Sequence, residues 1–330
     1  MTTQGGRGRL RRSRVDGPGL SRRRHGSGFS YRDAHGRVIT DADTLRRIRS
    51  LAIPPAWRNV WISADARGHV QATGVDDAGR KQYRYHDDWR TARDVKKFDR
   101  VLDAARHLPS MRARVRRDLT GRGLTRDRVL AASVRMLDLG LFRVGGEVYA
   151  TRSEDPSFGL STLRADHLSI HGGVATLCFT GKSGVEHCIT IEDALVGAVL
   201  QGLKKRRHGA ERLLAYWDPA ARRWAEISAD SINSYLREIS HRRMTAKDFR
   251  TWHGTVSAAA ALAAEGPRPT PAKRRRVVAR AMKQVAAALG NTPAVARASY
   301  VDPRVVEHYE KGGEFVTGSE REVRELLQKP

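Results

Sequence analysis

Two hydrophobic rhythms run along this chain. Up to about residue 93, apolar and polar positions alternate in short runs broken by Asp/Gly turns; beyond it, apolar residues return every third or fourth position. In the first part, Val60–Ser63, His69–Thr73 and Arg80–Tyr85 are separated by Asp65-Ala66-Arg67-Gly68 and Asp76-Asp77-Ala78-Gly79, which predicts an antiparallel meander. Asp41–Ser50 predicts one helix, halted before Pro54-Pro55. In the second part, Asp94–Ala105, Met111–Leu119 and Arg126–Leu139 predict helices, the last closed by Gly140. Strands are expected near 161–170, 174–180 and 185–191, punctuated by His171-Gly172-Gly173 and Gly181-Lys182-Ser183-Gly184. Helices resume over 192–203, 229–240, 246–264, 271–289, 293–300 and 303–310. Thr245 with Asp248 reads as a capping box, Gly290 as a C-cap, and Thr292-Pro293 as an N-cap followed by proline in the first turn.

The expected fold is therefore α+β. A small β-rich N-terminal domain covers 27–93, and a larger, mostly helical domain over 94–330 holds a three-stranded antiparallel sheet. Residues 1–26 carry eight arginines, one aspartate and few apolar side chains. Such a segment cannot offset its ordering entropy, which predicts a disordered basic tail.

Charge narrows the choice of partner. Lys and Arg number 61 against 36 Asp and Glu, a net charge of +25 that favours a polyanion through counterion release. No apolar run approaches the roughly 20 residues of a spanning helix, and no secretory signal is visible, so a membrane is the weaker candidate. Cys178 and Cys188, flanking a hairpin, read as two half-buried free thiols in a reducing cytoplasm. A phosphate-cradling Gly-x4-Gly-Lys-Ser/Thr loop and a dense carboxylate cluster are both missing. ATP-driven and two-metal chemistry are disfavoured accordingly, and neither a metal nor a small-molecule cofactor is expected.

The candidate chemistry lies in Tyr300, Arg143, Lys182 and Arg250. Transesterification at a phosphodiester by a side chain needs a nucleophile, cations at the non-bridging oxygens and an acid for the departing oxygen. Arginine suits the second task, because its planar fork keeps its charge and can bond one phosphate twice. A phenol ordinarily titrates at about 10, so proton removal and a cationic phosphate site must both assist it. Each residue also has a plainer reading. Tyr300 could be a core residue, Arg143 a solvated charge behind a helix, Arg250 a helix-surface charge and Lys182 an idle tip.

Their joint order is similar to that of the type IB DNA topoisomerases, in particular the small bacterial and poxvirus-like branch. The likeness extends from about residue 40 to 312. Arg143-Val144-Gly145-Gly146-Glu147 with Tyr149, then Ser157-Phe158-Gly159-Leu160-Ser161-Thr162-Leu163, resembles that family's first-arginine block. Phe179-Thr180-Gly181-Lys182-Ser183-Gly184 resembles its lysine hairpin, and Lys247-Asp248-Phe249-Arg250-Thr251-Trp252 its second-arginine block. Leu289-Gly290-Asn291-Thr292-Pro293 with Ser299-Tyr300 resembles the nucleophile block.

The resemblance implies that Tyr300 attacks a DNA phosphodiester to leave a 3′-phosphotyrosyl link and a free 5′-hydroxyl. It implies that Arg143 and Arg250 hold the non-bridging oxygens and that Lys182 protonates the departing oxygen, with neither ATP nor metal. Asn291 stands where many members carry histidine. It can still donate a hydrogen bond to a phosphate oxygen but cannot titrate near neutrality, and its plainer role is to cap the last helix.

On the strand Arg80–Tyr85, Arg80, Gln82 and Arg84 share one face and Tyr83 and Tyr85 the other. The plain reading is an edge strand with two packed tyrosines. The resemblance favours Arg80, Gln82, Tyr83 and Tyr85 as contacts to double-stranded DNA, with Lys247 a further groove or phosphate contact. It also implies a monomer clamped around duplex DNA in a nucleoid-associated, cytoplasmic setting. The alternatives are a site-specific tyrosine recombinase, which shares the Arg, Lys, Arg and Tyr logic, and a basic DNA-binding protein without catalysis. Recombinases typically place histidine three residues before the second arginine, where this chain has Lys247, and usually have a helical N-terminal domain.

Overall fold

The computed structural model describes residues 9–140, 142–151, 155–206, 209–241 and 244–329. The chain divides into two compact units, Met1–Lys97 and Phe98–Pro330. The fold is α+β, with an antiparallel N-terminal sheet region and a helical C-terminal unit.

In the first unit, strands β1 (Leu20–His25), β2 (Gly28–Arg32), β3 (Arg58–Ile62), β4 (Val70–Val75) and β5 (Lys81–Tyr85) pair antiparallel in the order β2-β1-β3-β4-β5. Helix α1 (Ala42–Ser50) covers the sheet through Ile48, which is buried with Leu20, Val60, Ile62 and Ala72. Its first turn is capped by Asp41, whose side chain accepts from Thr44 N. Helix α2 (Asp87–Arg106) follows β5.

The expectation of disorder through residue 26 does not hold for residues 9–26; residues 1–8 lie outside the described residues. Composition misleads here because the order is non-local. The Arg22 guanidinium donates to the carbonyls of Ile53, Pro54 and Trp57 at 3.1, 3.0 and 2.7 Å and lies 4.1 Å over the Phe29 ring. Trp61 Nε1 donates to Gly17 O at 3.0 Å, and Ser13 bonds His69 and Val70. On β1, Arg23 and Arg24 are exposed while the backbone pairs with β2 along its length and with β3 at Leu20 and Ser21.

The second unit opens with α3 (Leu108–Leu119) and α4 (Arg126–Gly140) and a short helix α5 (Glu147–Ala150). Two single 3-10 turns, Leu160–Thr162 and Ala165–His167, occupy most of the expected first strand. The sheet proper is β6 (Leu168–His171), β7 (Val174–Thr180) and β8 (Glu186–Ile191), antiparallel in that order. After α6 (Ala194–Lys205) come a hairpin of β9 (Ala215–Asp218) and β10 (Arg223–Glu226), then α7 (Ala229–Ser240), α8 (Ala246–Glu265) and α9 (Pro271–Leu289). Helices α10 (Pro293–Ser299), α11 (Pro303–Glu310) and α12 (Glu320–Gln328) complete it. The β9–β10 hairpin and α12 were not expected from the sequence pattern. No helix among the described residues is long and apolar enough to cross a membrane.

The register of β7 and β8 sets Cys178 directly opposite Cys188, with Cα atoms 4.1 Å apart, and the two are joined in a disulfide. The reading as half-buried free thiols is corrected on both counts, since both residues are exposed. The reducing setting inferred from free thiols loses that support.

Helix α4 is the centre of the core, with Val129, Leu130, Val134 and Leu137 buried against α3, α6, α7 and α8. One charged cluster ties these layers together. Asp138 on α4 accepts from Arg112 of α3 at 2.7 and 2.8 Å and from Arg135 at 3.0 Å, and lies 3.0 Å from His253 Nε2 of α8. Arg112 also grips Glu320 of α12, which accepts from Trp252 of α8 at 3.1 Å. Burial raises the Asp138 carboxyl, but hydrogen bonds from His253 and Arg112 outweigh this and hold it well below the usual carboxylate range. Its contribution is thus fully present above about pH 4 and is lost as the pH falls below that. Asp138→Asn, which leaves two arginines facing an uncharged amide, should lower the unfolding free energy by about 3 kcal/mol. An unchanged urea midpoint would show that this cluster does not hold α3, α4, α8 and α12 together.

Candidate functional site

The C-terminal end of α9 organises the site. Gly290 ends the helix in the left-handed conformation at φ 58°, a turn open to glycine at little cost, and Thr292 then caps α10 by accepting from Val295 N. The last carbonyls of α9 carry the negative end of the helix dipole. Two guanidinium groups bind them: Arg250 Nη2 donates to Leu289 O at 2.7 Å, and Arg143 Nη2 donates to Gly290 O at 3.1 Å. Arg143 also donates to Asn291 Oδ1 at 2.7 Å.

Local sequence explains how each arginine arrives there. Arg143 leaves the end of α4 on a loop clamped by a glycine pair. A β-carbon on Gly159 would stand 2.5 Å from Gly145 Cα, so only glycines let the two backbones cross; Arg143 O accepts from Leu160 N at 2.9 Å. Arg250 sits in the first turns of α8. Asp248 fixes the start of that helix by accepting from Thr245 N at 2.8 Å and from both terminal nitrogens of Arg100 at 2.7 and 2.9 Å.

Tyr300 ends α10, its N–H donating to Ala296 O at 2.9 Å. The Arg250 guanidinium carbon lies 5.3 Å from the centre of its ring. Arg250 is only 4% exposed. Burial and the like charge of Arg143 bring it down to about 10, with Tyr300 opposing the shift, so it remains charged at neutral pH.

Lys182 is the exposed tip of the β7–β8 hairpin, in a turn where Ser183 takes φ 64°. Arg143, Lys182, Lys247, Arg250 and Tyr300 line one cavity of about 340 Å³ together with Val144, Gly145, Gly146, Tyr149, Ser157, Phe158 and Ala246. Among the described residues, no aspartate or glutamate is in this lining. The arrangement can therefore hold an anion between two guanidinium forks, with a phenol and an ammonium at its rim. Asn291 stands behind Arg143; its Nδ2 is buried and has no hydrogen-bond partner among the described residues. The plain readings of Arg143 and Arg250 as surface charges are thus replaced by two cations fixed at one helix end.

The residues expected as further contacts divide. Lys247 lines the cavity. On the first unit, Arg80 and Gln82 are both tied to Asp76, whose Oδ2 accepts from Arg80 Nε at 2.9 Å and Gln82 Nε2 at 2.8 Å. The hydrogen bonds from Arg80, then that from Gln82, bring the Asp76 carboxyl down to about 2. Tyr83 and Tyr85 are not packed in the core: on the edge strand β5 they stack at 5.9 Å with 41% of each exposed.

Comparison with known proteins agrees with this arrangement. The family described as "Eukaryotic DNA topoisomerase I, catalytic core" matches residues 86–326, and "Bacterial DNA topoisomerase IB, N-terminal domain" matches residues 28–76. The chain is 32% identical over 301 residues to "DNA topoisomerase 1B" of Acanthamoeba polyphaga mimivirus, covering 90% of this chain and 89% of that protein. The chain belongs to the type IB DNA topoisomerases. It is an isomerase whose substrate is DNA, and it relaxes that DNA.

Two residues of this topoisomerase's site were not singled out in the sequence. Thr255, one turn beyond Arg250, donates to Tyr300 O at 3.3 Å and accepts from Asp302 N at 3.0 Å, stitching the Tyr300 segment to α8. His187, on the inward face of β8 with Ile189 and Ile191, has its imidazole held below the usual range by burial and by Arg143 and Arg250. Strand alternation gave a signal for the second; only the fold reveals the first.

If the planar fork of Arg250 matters beyond its charge, Arg250→Lys should slow plasmid relaxation by roughly a hundredfold. Retention of more than a third of the relaxation rate at matched DNA occupancy would mean that a point charge suffices there.

Proposed function

We propose that Tyr300 Oη attacks the phosphorus of a DNA phosphodiester. A tyrosyl–phosphorus bond forms at the 3′ side as the phenol gives up its proton to solvent, and the bond to the 5′-oxygen breaks; Lys182 gives the departing oxygen its proton. Arg143 and Arg250 hold the non-bridging oxygens where charge accumulates, and Asn291 adds an amide donor behind them. After the free strand swivels, the 5′-hydroxyl attacks the same phosphorus and Tyr300 leaves, which restores the original linkage. The phosphotyrosyl ester keeps the energy of the broken bond, so no ATP is consumed, and the guanidinium pair takes the charge-neutralising role that metal ions fill in other phosphoryl-transfer sites.

The observation that carries this reading is the convergence of Tyr300, Arg143, Lys182 and Arg250 on one cavity, with no carboxylate in its wall among the described residues. The enzyme works as a monomer on duplex DNA. Lys247 contacts a phosphate near the cavity, and the stacked Tyr83 and Tyr85 meet the DNA through the N-terminal unit. Arg80 and Gln82 join them on release from Asp76.

The test is negatively supercoiled plasmid incubated in EDTA without ATP. A ladder of relaxed topoisomers should form, and Tyr300→Phe should abolish both relaxation and covalent adduct while leaving DNA binding intact; adduct persisting in that variant would sink the reading. Lys182→Ala should slow cleavage by about a hundredfold or more. Its rate should recover on a duplex whose scissile 5′-bridging oxygen is replaced by sulfur, because a thiolate leaves without a proton.

A further inference from the structure

The glycine before Lys182 and the glycine before Asn291 press on the same side chain. A β-carbon on Gly181 would stand 2.5 Å from His187 Cδ2 and 2.7 Å from Nε2; one on Gly290 would stand 2.4 Å from Cε1 and 2.9 Å from Nε2. The imidazole thus fills the space between the lysine hairpin and the loop that binds Arg143. Its face lies against Phe179, its register partner across β7–β8, at 5.5 Å and 28°. The same ring borders a small cavity shared with Arg143 and Arg250.

We propose that His187 is a positioning residue for Lys182: its ring is the wedge that fixes the hairpin tip relative to the phosphate-binding loop at Gly290 and Asn291. A hairpin tip is held to its own strands only by local bonds, here Gly181 N to Val185 O at 2.7 Å and Thr180 Oγ1 to Glu186 Oε1 at 2.6 Å. Those bonds set the shape of the turn. They do not set its distance from the guanidinium pair. The base of the hairpin is tied to the Arg143 loop, where Phe158 N donates to Thr180 O at 2.8 Å; the contact running from Gly181 through the imidazole to Gly290, and from Gly290 O to Arg143, sets the tip beyond that tie. Burial and the neighbouring arginines keep the ring uncharged, so it adds no third cation beside them.

This inference rests on the reading of Lys182 as the proton donor. The experiment measures single-turnover adduct formation on a duplex carrying the cleavage site, with either oxygen or sulfur at the 5′-bridging position. His187→Ala should slow cleavage of the oxygen substrate by about tenfold or more, as expected when a catalytic group is displaced. The loss should largely vanish on the sulfur substrate, and His187→Ala should add little to Lys182→Ala on the oxygen substrate.

Gly181→Ala gives a second approach that keeps the ring. Gly181 has φ −93° and ψ −167°, a conformation open to any residue, so the added methyl tests space against the imidazole and Val185 O rather than backbone strain. It should show the same sulfur-rescued defect, and adding His187→Ala to it should make cleavage faster than in Gly181→Ala alone.

Absence of sulfur rescue in Lys182→Ala overturns the donor role, and this inference with it. Rescue in Lys182→Ala but not in His187→Ala overturns the inference alone. So does a Gly181→Ala enzyme that cleaves the oxygen substrate at the unaltered rate.

Discussion

Holding two like charges close together at one helix end, one of them buried, is the constraint around which the catalytic unit is built. The end of α9 offers two backbone carbonyls, at Leu289 and Gly290, which carry partial negative charge and cannot be displaced into the cavity. They orient both guanidinium forks. The lowered affinity of Arg250 for its proton records first its burial and then the like charge of Arg143.

Acidic side chains are plentiful in the same unit but lie elsewhere. Asp248 fastens the start of α8 to Arg100; Asp138 and Glu320 fasten α4, α8 and α12 through Arg112. Each fixes the helix that delivers Arg250 from behind. Arg100 and Arg112 are thus paired to carboxylates, whereas Arg143 and Arg250 bind the carbonyls at the end of α9. On the N-terminal unit, Asp76 shows the first pattern on Arg80, and the neighbouring tyrosines are left outward-facing.

What could be read from the sequence was what depends on neighbours in the chain. The capping residues at Thr245, Gly290 and Thr292-Pro293 act within one turn and stand where expected, and the four blocks that carry Arg143, Lys182, Arg250 and Tyr300 were legible through their order. What escaped depends on distant partners. Half of strand β1 is arginine, and its order comes from Arg22 reaching carbonyls about thirty residues away. The Cys178–Cys188 bond follows from a strand register that spacing alone does not give. Val323 and Leu327 of α12 are too few to mark a core helix until Glu320 is seen beside Arg112 and Trp252. The roles of His187 and Thr255 lie in contacts made across elements, which no single stretch of sequence contains.

Helix α8 carries one further consequence. Arg250, Gly254 and Ala258 form one row along it, and Thr251, Thr255, Ala259 and Leu262 an adjoining one, with Thr255 bonded to the backbone of Tyr300 and Asp302. Each residue turns the helix by about 100°. A single insertion or deletion between Arg250 and Thr255 would therefore rotate the cavity-lining guanidinium and the tyrosine anchor out of phase. The segment tolerates exchanges of side chain far better than any change of length, and its spacing is a ruler as much as a scaffold.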